Sequence, residues 1–149
     1  MPTDRNRMLA ALRTALTPVL RAEGFKGTLP HVRRFAQSKT DVLSVQFSIA
    51  GGMFVLEISE GPTAAFVTPS GQTLEPARFT SFDMPFSARH RLGPLLAGGV
   101  WWFQFGGNDA GRFSTAAEQA RKLLSQAFSH WQGARPQPNI VKLSPEPSS

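Results

Sequence analysis

The chain has 149 residues, 41% of them hydrophobic, with 12 Phe, 3 Trp and a formal charge of +6, which suits one domain with a single core. Cysteine is absent, so disulfides, thiolate metal sites and cysteine nucleophiles are excluded together. The three histidines, at 31, 90 and 130, show no close ligand spacing, which argues against a zinc site, and no apolar run approaches the length of about 18 residues that a membrane span needs.

Residues 4–22 read as a helix, because Met8, Leu9, Leu12, Leu16, Val19 and Leu20 recur at three- and four-residue spacing. Thr3 or Asp4 is placed to cap its start, and Gly24-Phe25 suits a left-handed end whose next residue packs back on the helix. Pro18 predicts a kink near Thr17. Met1–Arg7 is polar and Arg13 interrupts the apolar positions, so no secretory signal is read and cytoplasmic residence is the expectation.

Leu29–Ala36 reads as a short strand within a basic stretch, since residues 26–40 carry Lys26, Arg33, Arg34 and Lys39 and no acid, a charge of +4. Asp41–Ser59 is the clearest signal: two alternating segments flank Gly51-Gly52 and predict an antiparallel hairpin. Leu43, Val45, Phe47 and Ile49 share one side and Ser44, Gln46 and Ser48 the other; beyond the glycines, Phe54, Leu56 and Ile58 form the buried set and Met53, Val55 and Glu57 the second face. Residues 41–77 carry Asp41, Glu57, Glu60 and Glu75 and no cation, a charge of −4. The chain is therefore dipolar along its length rather than evenly basic, which weakens the case for nucleic acid.

Residues 63–99 are punctuated by Pro69, Pro76, Pro85 and Pro94; Ala64–Thr68 reads as an edge strand, and the rest, including Arg89-His90-Arg91, as loop. Val100–Phe105 is an aromatic run between glycine pairs and reads as a strand of the same sheet. Ser114–Gln132 is a second helix, with Thr115 and Glu118 as a capping box and Ala120, Leu123, Leu124, Ala127, Phe128 and Trp131 as its apolar face. These elements describe an α+β domain over residues 1–133, an antiparallel sheet of about 4–6 strands packed on one face by an N-terminal and a C-terminal helix. Residues 134–149 are a Pro-rich tail in which Ile140–Leu143 is apolar enough to dock.

Leu16–Leu20 with Thr17-Pro18-Val19 between, Gly24-Phe25, the basic Val32-Arg33-Arg34-Phe35, Val45-Gln46-Phe47-Ser48, Arg91-Leu92-Gly93 and Trp101-Trp102 together resemble a bacterial family known as domain of unknown function 4304, over roughly residues 8–131. Ile49-Ala50-Gly51-Gly52 stands where members often have a longer polar connection, and Glu57 near where Asn is common. The resemblance implies no particular activity.

Four groupings are candidates for chemistry. Arg33 and Arg34 point to opposite sheet faces; with Lys26 and Lys39 they are either a patch for phosphate or an acidic partner, or a solvated strand paired with the acids of the hairpin. Trp102 and Gln104, beside Gln46 and Ser48, would make an amphipathic platform if that sheet face is open, and core if it is covered. Arg89-His90-Arg91 with Asp83 and nearby serines offers a base for a hydrolase, against the simpler reading of a surface loop. The glycine-rich stretches around 98 and 106 lack the P-loop and dinucleotide spacings and read as turns. The favoured expectation is a non-enzymatic protein-interaction module, immunity-like or regulatory, using Arg33, Arg34, Gln46, Ser48, Arg91, Trp102 and Gln104. The alternative is single-stranded nucleic-acid or nucleotide binding. No cofactor, metal, catalytic residue or membrane is implied by either.

Overall fold

The computed structural model describes residues 2–85, 88–95 and 102–143. Helix α1 (Asp4–Ala22) buries Met8, Leu12, Leu16 and Leu20, the three- and four-residue stripe of the sequence. Thr3 is its cap, accepting the Asn6 amide on Oγ1 at 3.1 Å, and the helix runs through Pro18. Its end is a left-handed turn: Gly24 has φ +90°, the Gly24 amide donates to Arg21 O at 3.0 Å, and the Phe25 amide to Leu20 O at 2.9 Å. A side chain at Gly24 would strain this turn. Thr3→Ala should lower stability by about 1 kcal/mol, read as a shift in the urea midpoint at unchanged slope.

Strands β1 (Lys26–Thr28), β2 (His31–Phe35), β3 (Thr40–Phe47) and β4 (Met53–Gly61) follow as an antiparallel meander. Beyond them lie a small two-stranded sheet of β5 (Phe66–Val67) and β6 (Thr73–Leu74), then β7 (Arg89–Leu92), β8 (Phe103–Gln104), helix α2 (Arg112–Trp131) and β9 (Ile140–Lys142). Among the described residues the main sheet has seven strands in the order β1-β2-β3-β4-β7-β9, with β8 also pairing β4, and every pairing is antiparallel. The α+β class and the two packing helices are those of the sequence.

Two strands come from segments read otherwise. Arg89-His90-Arg91 is not a loop but most of β7, paired with β4 from Leu56↔Leu92 to Ser59↔Arg89. Ile140–Lys142 docks as β9 on β7. Ala64–Thr68 contributes β5, which pairs β6 rather than the edge of the main sheet. Trp101, Val100, Gly98 and Gly99 lie outside the described residues, so the aromatic strand is seen at Phe103–Gln104. In α2 the expected capping box does not form: the helix begins at Arg112, the Thr115 amide already donates to Gly111 O, and Glu118 pairs with Arg121. Asp109, accepting the Gly111 amide at 3.0 Å, shapes the entry instead. Ile49 is fully exposed in the turn and belongs to neither face.

One sheet face carries the core. Val32, Leu43, Val45, Phe54, Leu56, Ile58, Leu92 and Phe103 pack there against α1 and α2, with Phe25 and Trp131 at 5.0 Å between ring centroids. The opposite, second face is partly roofed by the chain between β4 and β7, whose Phe79 and Met84 pack on Val42. Gly61 lets this roof close: a Cβ there would stand 2.8 Å from Met84 Sδ and 3.2 Å from the Phe79 ring.

Candidate functional site

On the second face, alternation along β3 and β4 places Ser44 and Glu57 side by side in register, with His31 next to Ser44 on β2 and Arg91 next to Glu57 on β7. The turn Ser81–Asp83 closes over them. Ser44 Oγ accepts the Ser81 amide at 2.9 Å and lies 2.8 Å from His31 Nδ1, Ser81 Oγ donates to Glu57 Oε1 at 3.4 Å, and Arg89 Nε donates to the same oxygen. Burial, then the Arg33 charge, lower the His31 pKa, with Asp83 opposing. Serine, histidine and carboxylate thus meet, yet Ser44, Ser81 and Glu57 are 0% exposed. No substrate carbonyl reaches a hydroxyl held in this way, and the network reads as a closed polar core in which Glu57 Oε1 is bonded while Glu57 Oε2 has no hydrogen-bond partner among the described residues.

Three of the four cations of the basic stretch are spent inside the molecule, while Lys26 is exposed on β1. Arg34, on the helix face, donates to Asp41 at 2.9 and 3.0 Å and lies 4.8 Å from the Phe25 ring centroid. Arg33, on the second face, donates through Nε to Phe79 O at 2.6 Å. Lys39 spans Asp41, at 2.8 Å, and Glu60. Of the two readings of this cluster, pairing with the acids of the hairpin describes Arg34 and Lys39. His90 and Asp83, the hydrolase pair, do not meet: His90 faces the helices beside Ile58, while Asp83 caps Thr80 in the roof on the other side.

The roof packs on Val42, and four of the predicted site residues converge at the other end of the second face, around the fully buried Val55. Gln104 pairs Met53, and Trp102, two residues earlier on the same strand face, stands where the register continues toward Val55. The Arg91 guanidinium is 5.5 Å from the Trp102 ring centroid, and Gln46 lies across β4, opposite Val55. Gln104 is exposed and Gln46, Arg91 and Trp102 are half-buried. Two buried atoms here, Gln46 Oε1 and Arg91 Nε, have no hydrogen-bond partner among the described residues. On the other flank of Arg91, Val141 of β9 is 37% exposed. Ser48 is elsewhere, accepting the Ala50 amide at 3.2 Å in the hairpin turn, beside Arg5 and Phe47 at the start of α1.

A family model described as domain of unknown function (DUF4304) matches residues 16–133. The chain belongs to this family. The DUF4304 match runs from Leu16 in α1 to Gly133 just past α2, so it takes in the second face and its roof and stops before β9. No curated protein and no solved structure matches the chain.

Together with residues beyond the DUF4304 match, the fold also assembles a group of residues that no spacing in the sequence announced. His130, on the buried side of α2, meets His90 of β7 with ring centroids 4.3 Å apart, and Arg135 and Lys142 line the same cleft. A signal for His130 did exist, since it sits next to Trp131 and three residues after Ala127, on the stripe that α2 buries. Among the described residues no group of three or more His, Cys, Asp or Glu could hold a metal ion, and no helix is long and apolar enough to cross a membrane.

Proposed function

We propose that the protein is a non-enzymatic binding module that engages a protein partner through the end of its second sheet face away from Val42, at Trp102, Arg91, Gln104 and Gln46, in a regulatory or immunity-like role. The observation that carries this reading is the Trp102–Arg91 cation–π pair beside two buried atoms, Gln46 Oε1 and Arg91 Nε, that have no hydrogen-bond partner among the described residues. Tryptophan and arginine dominate the energetics of protein interfaces. An unpartnered buried acceptor or donor costs about 1–3 kcal/mol, a cost that a partner supplying a hydrogen bond removes. The closed Ser44–His31–Glu57 network supports a binding role rather than turnover at this face.

Affinity capture from the source lysate should recover a stoichiometric partner with the wild-type chain. Trp102→Ala and Arg91→Glu should each weaken that complex by about 2 kcal/mol or more while leaving the unfolding midpoint near wild type. A partner held equally by both variants, or none at all, would overturn the reading. Stacking of bases on Trp102 is the second reading, favoured by the guanidinium beside the indole. It requires affinity for a short single-stranded oligonucleotide that falls steeply with salt, and the internal commitment of Arg33, Arg34 and Lys39 weighs against it.

A further inference from the structure

On the helix side of the sheet, β7, β9 and the end of α2 enclose a cleft of about 310 Å3 lined by His90, His130, Arg135, Pro136, Ile140 and Lys142. We propose that this cleft is a binding site for a small oxyanion, a phosphate or carboxylate group, held by His90, His130, Arg135 and Lys142.

The chemistry of the lining carries the proposal. His130 is 3% exposed and lines the cleft, and His90 Nδ1 is buried without a hydrogen-bond partner among the described residues. Lys142 faces the cleft directly across from His90 in the β7–β9 register. Arg135 is fixed by two bonds, Nε to His130 O at 3.1 Å and Nη2 to Glu60 Oε1 at 2.7 Å, which leave Nη1 uncommitted among the described residues. Four potential donors therefore converge on a volume large enough for one oxyanion group and a small body against Pro136 and Ile140.

The charges facing the two imidazoles come from every element around them: Glu60 of β4, Lys39 before β3, Arg135 after α2 and Lys142 of β9. Glu60 is the one anion among them and is already bonded by Lys39 and Arg135. Burial first, then Arg135, lowers the His90 pKa, and burial, Arg135 and His90 bring that of His130 down to about 4. Both rings are thus neutral at pH 7 in the empty site. An arriving anion reverses the local field and favours their protonation, so binding draws in protons and strengthens as pH falls. The cations at the rim disfavour a metal ion at the same place.

The test is titration of the full chain with sulfate at constant ionic strength, observed through the imidazole resonances of His90 and His130. Sulfate stays dianionic between pH 8 and pH 6, so any tightening over that range arises in the protein. Saturable shifts of both rings are expected, stronger at pH 6 than at pH 8, with affinity reduced about tenfold in Lys142→Gln and in Arg135→Gln. Methyl phosphate and acetate, run as competing arms, should displace sulfate, and the tighter of the two names the oxyanion carried by the natural ligand. Trp102→Ala, on the opposite face, should leave sulfate binding unchanged, which separates failure of this site from failure of the protein-binding surface. Shifts that do not saturate, or that persist equally in both cleft variants, mean an adventitious ion only and overturn the proposal. So does tighter uptake of Zn2+ by the two rings at pH 7.

Discussion

Glu57→Ala should lower the free energy of unfolding by about 3–5 kcal/mol, measured by equilibrium denaturation. Glu57 is 0% exposed and meets Arg89, whose side chain is 14% exposed, so truncating the acid leaves a guanidinium with little water and one partner fewer. Ser81 Oγ loses its acceptor in the same step, and with it one hold of the roof on the sheet. The double variant Glu57→Leu/Arg89→Met should recover much of the loss, because an apolar pair of similar volume needs no desolvated charges. A single-variant cost below about 1 kcal/mol would mean that the roof opens to water more readily than its burial indicates.

Phe54→Ala should cost a similar amount, about 3–5 kcal/mol, for a different reason. Phe54 is fully buried and its ring meets three others: Phe103 at 4.8 Å, Phe105 at 6.1 Å and Phe47 at 6.2 Å between centroids. It is also paired with Phe103 in the ladder that ties β8 to β4, so the cavity would open where a two-residue strand has little else to hold it. Domains of this size have about 5–15 kcal/mol of stability in total, so either substitution should lower the thermal midpoint visibly. Ile49→Ala, at an exposed position in the turn, should stay within about 0.5 kcal/mol of wild type. A Phe54→Ala cost no larger than that of the turn variant would contradict the packing described for this end of the sheet.

Much of this architecture was legible from periodicity. The stripe from Met8 to Leu20 and the alternation of Leu43, Val45, Phe54, Leu56 and Ile58 each report a single buried face, and the structure buries them. Arg89–Leu92 escaped because β7 has no apolar alternation to show. Its inward second-face residue Arg89 is compensated by an acid on β4, and His90 by the cleft beside α2. The roof escaped for a related reason: three-residue 3-10 turns at Pro76–Arg78 and Ser81–Asp83 have no period, and Phe79 and Met84 are isolated apolar residues whose target, Val42, lies some forty positions upstream. Of the candidate site, Gln46, Trp102 and Gln104 could be assigned to one face by strand parity, whereas Arg91, read in a loop, joined them only through β7. That Arg33 and Arg34 were already engaged followed only from seeing Phe79 O and Asp41 beside them. The two-histidine cleft depended on β9, a strand of three residues whose apolar character suggested docking but not the edge on which it docks.

The position of that last strand has a consequence for solubility. Along the strand order the sheet ends in β1 and β9, each three residues long, and each contributes a lysine, Lys26 and Lys142. The long aliphatic ladder of β3 and β4 is kept in the middle, and β7 receives a partner from its own chain. Short outer strands with charged side chains are poor templates for another molecule's backbone. Loss of residues beyond 139 would instead uncover the amides of β7 and leave an open seam along which copies of the chain could assemble.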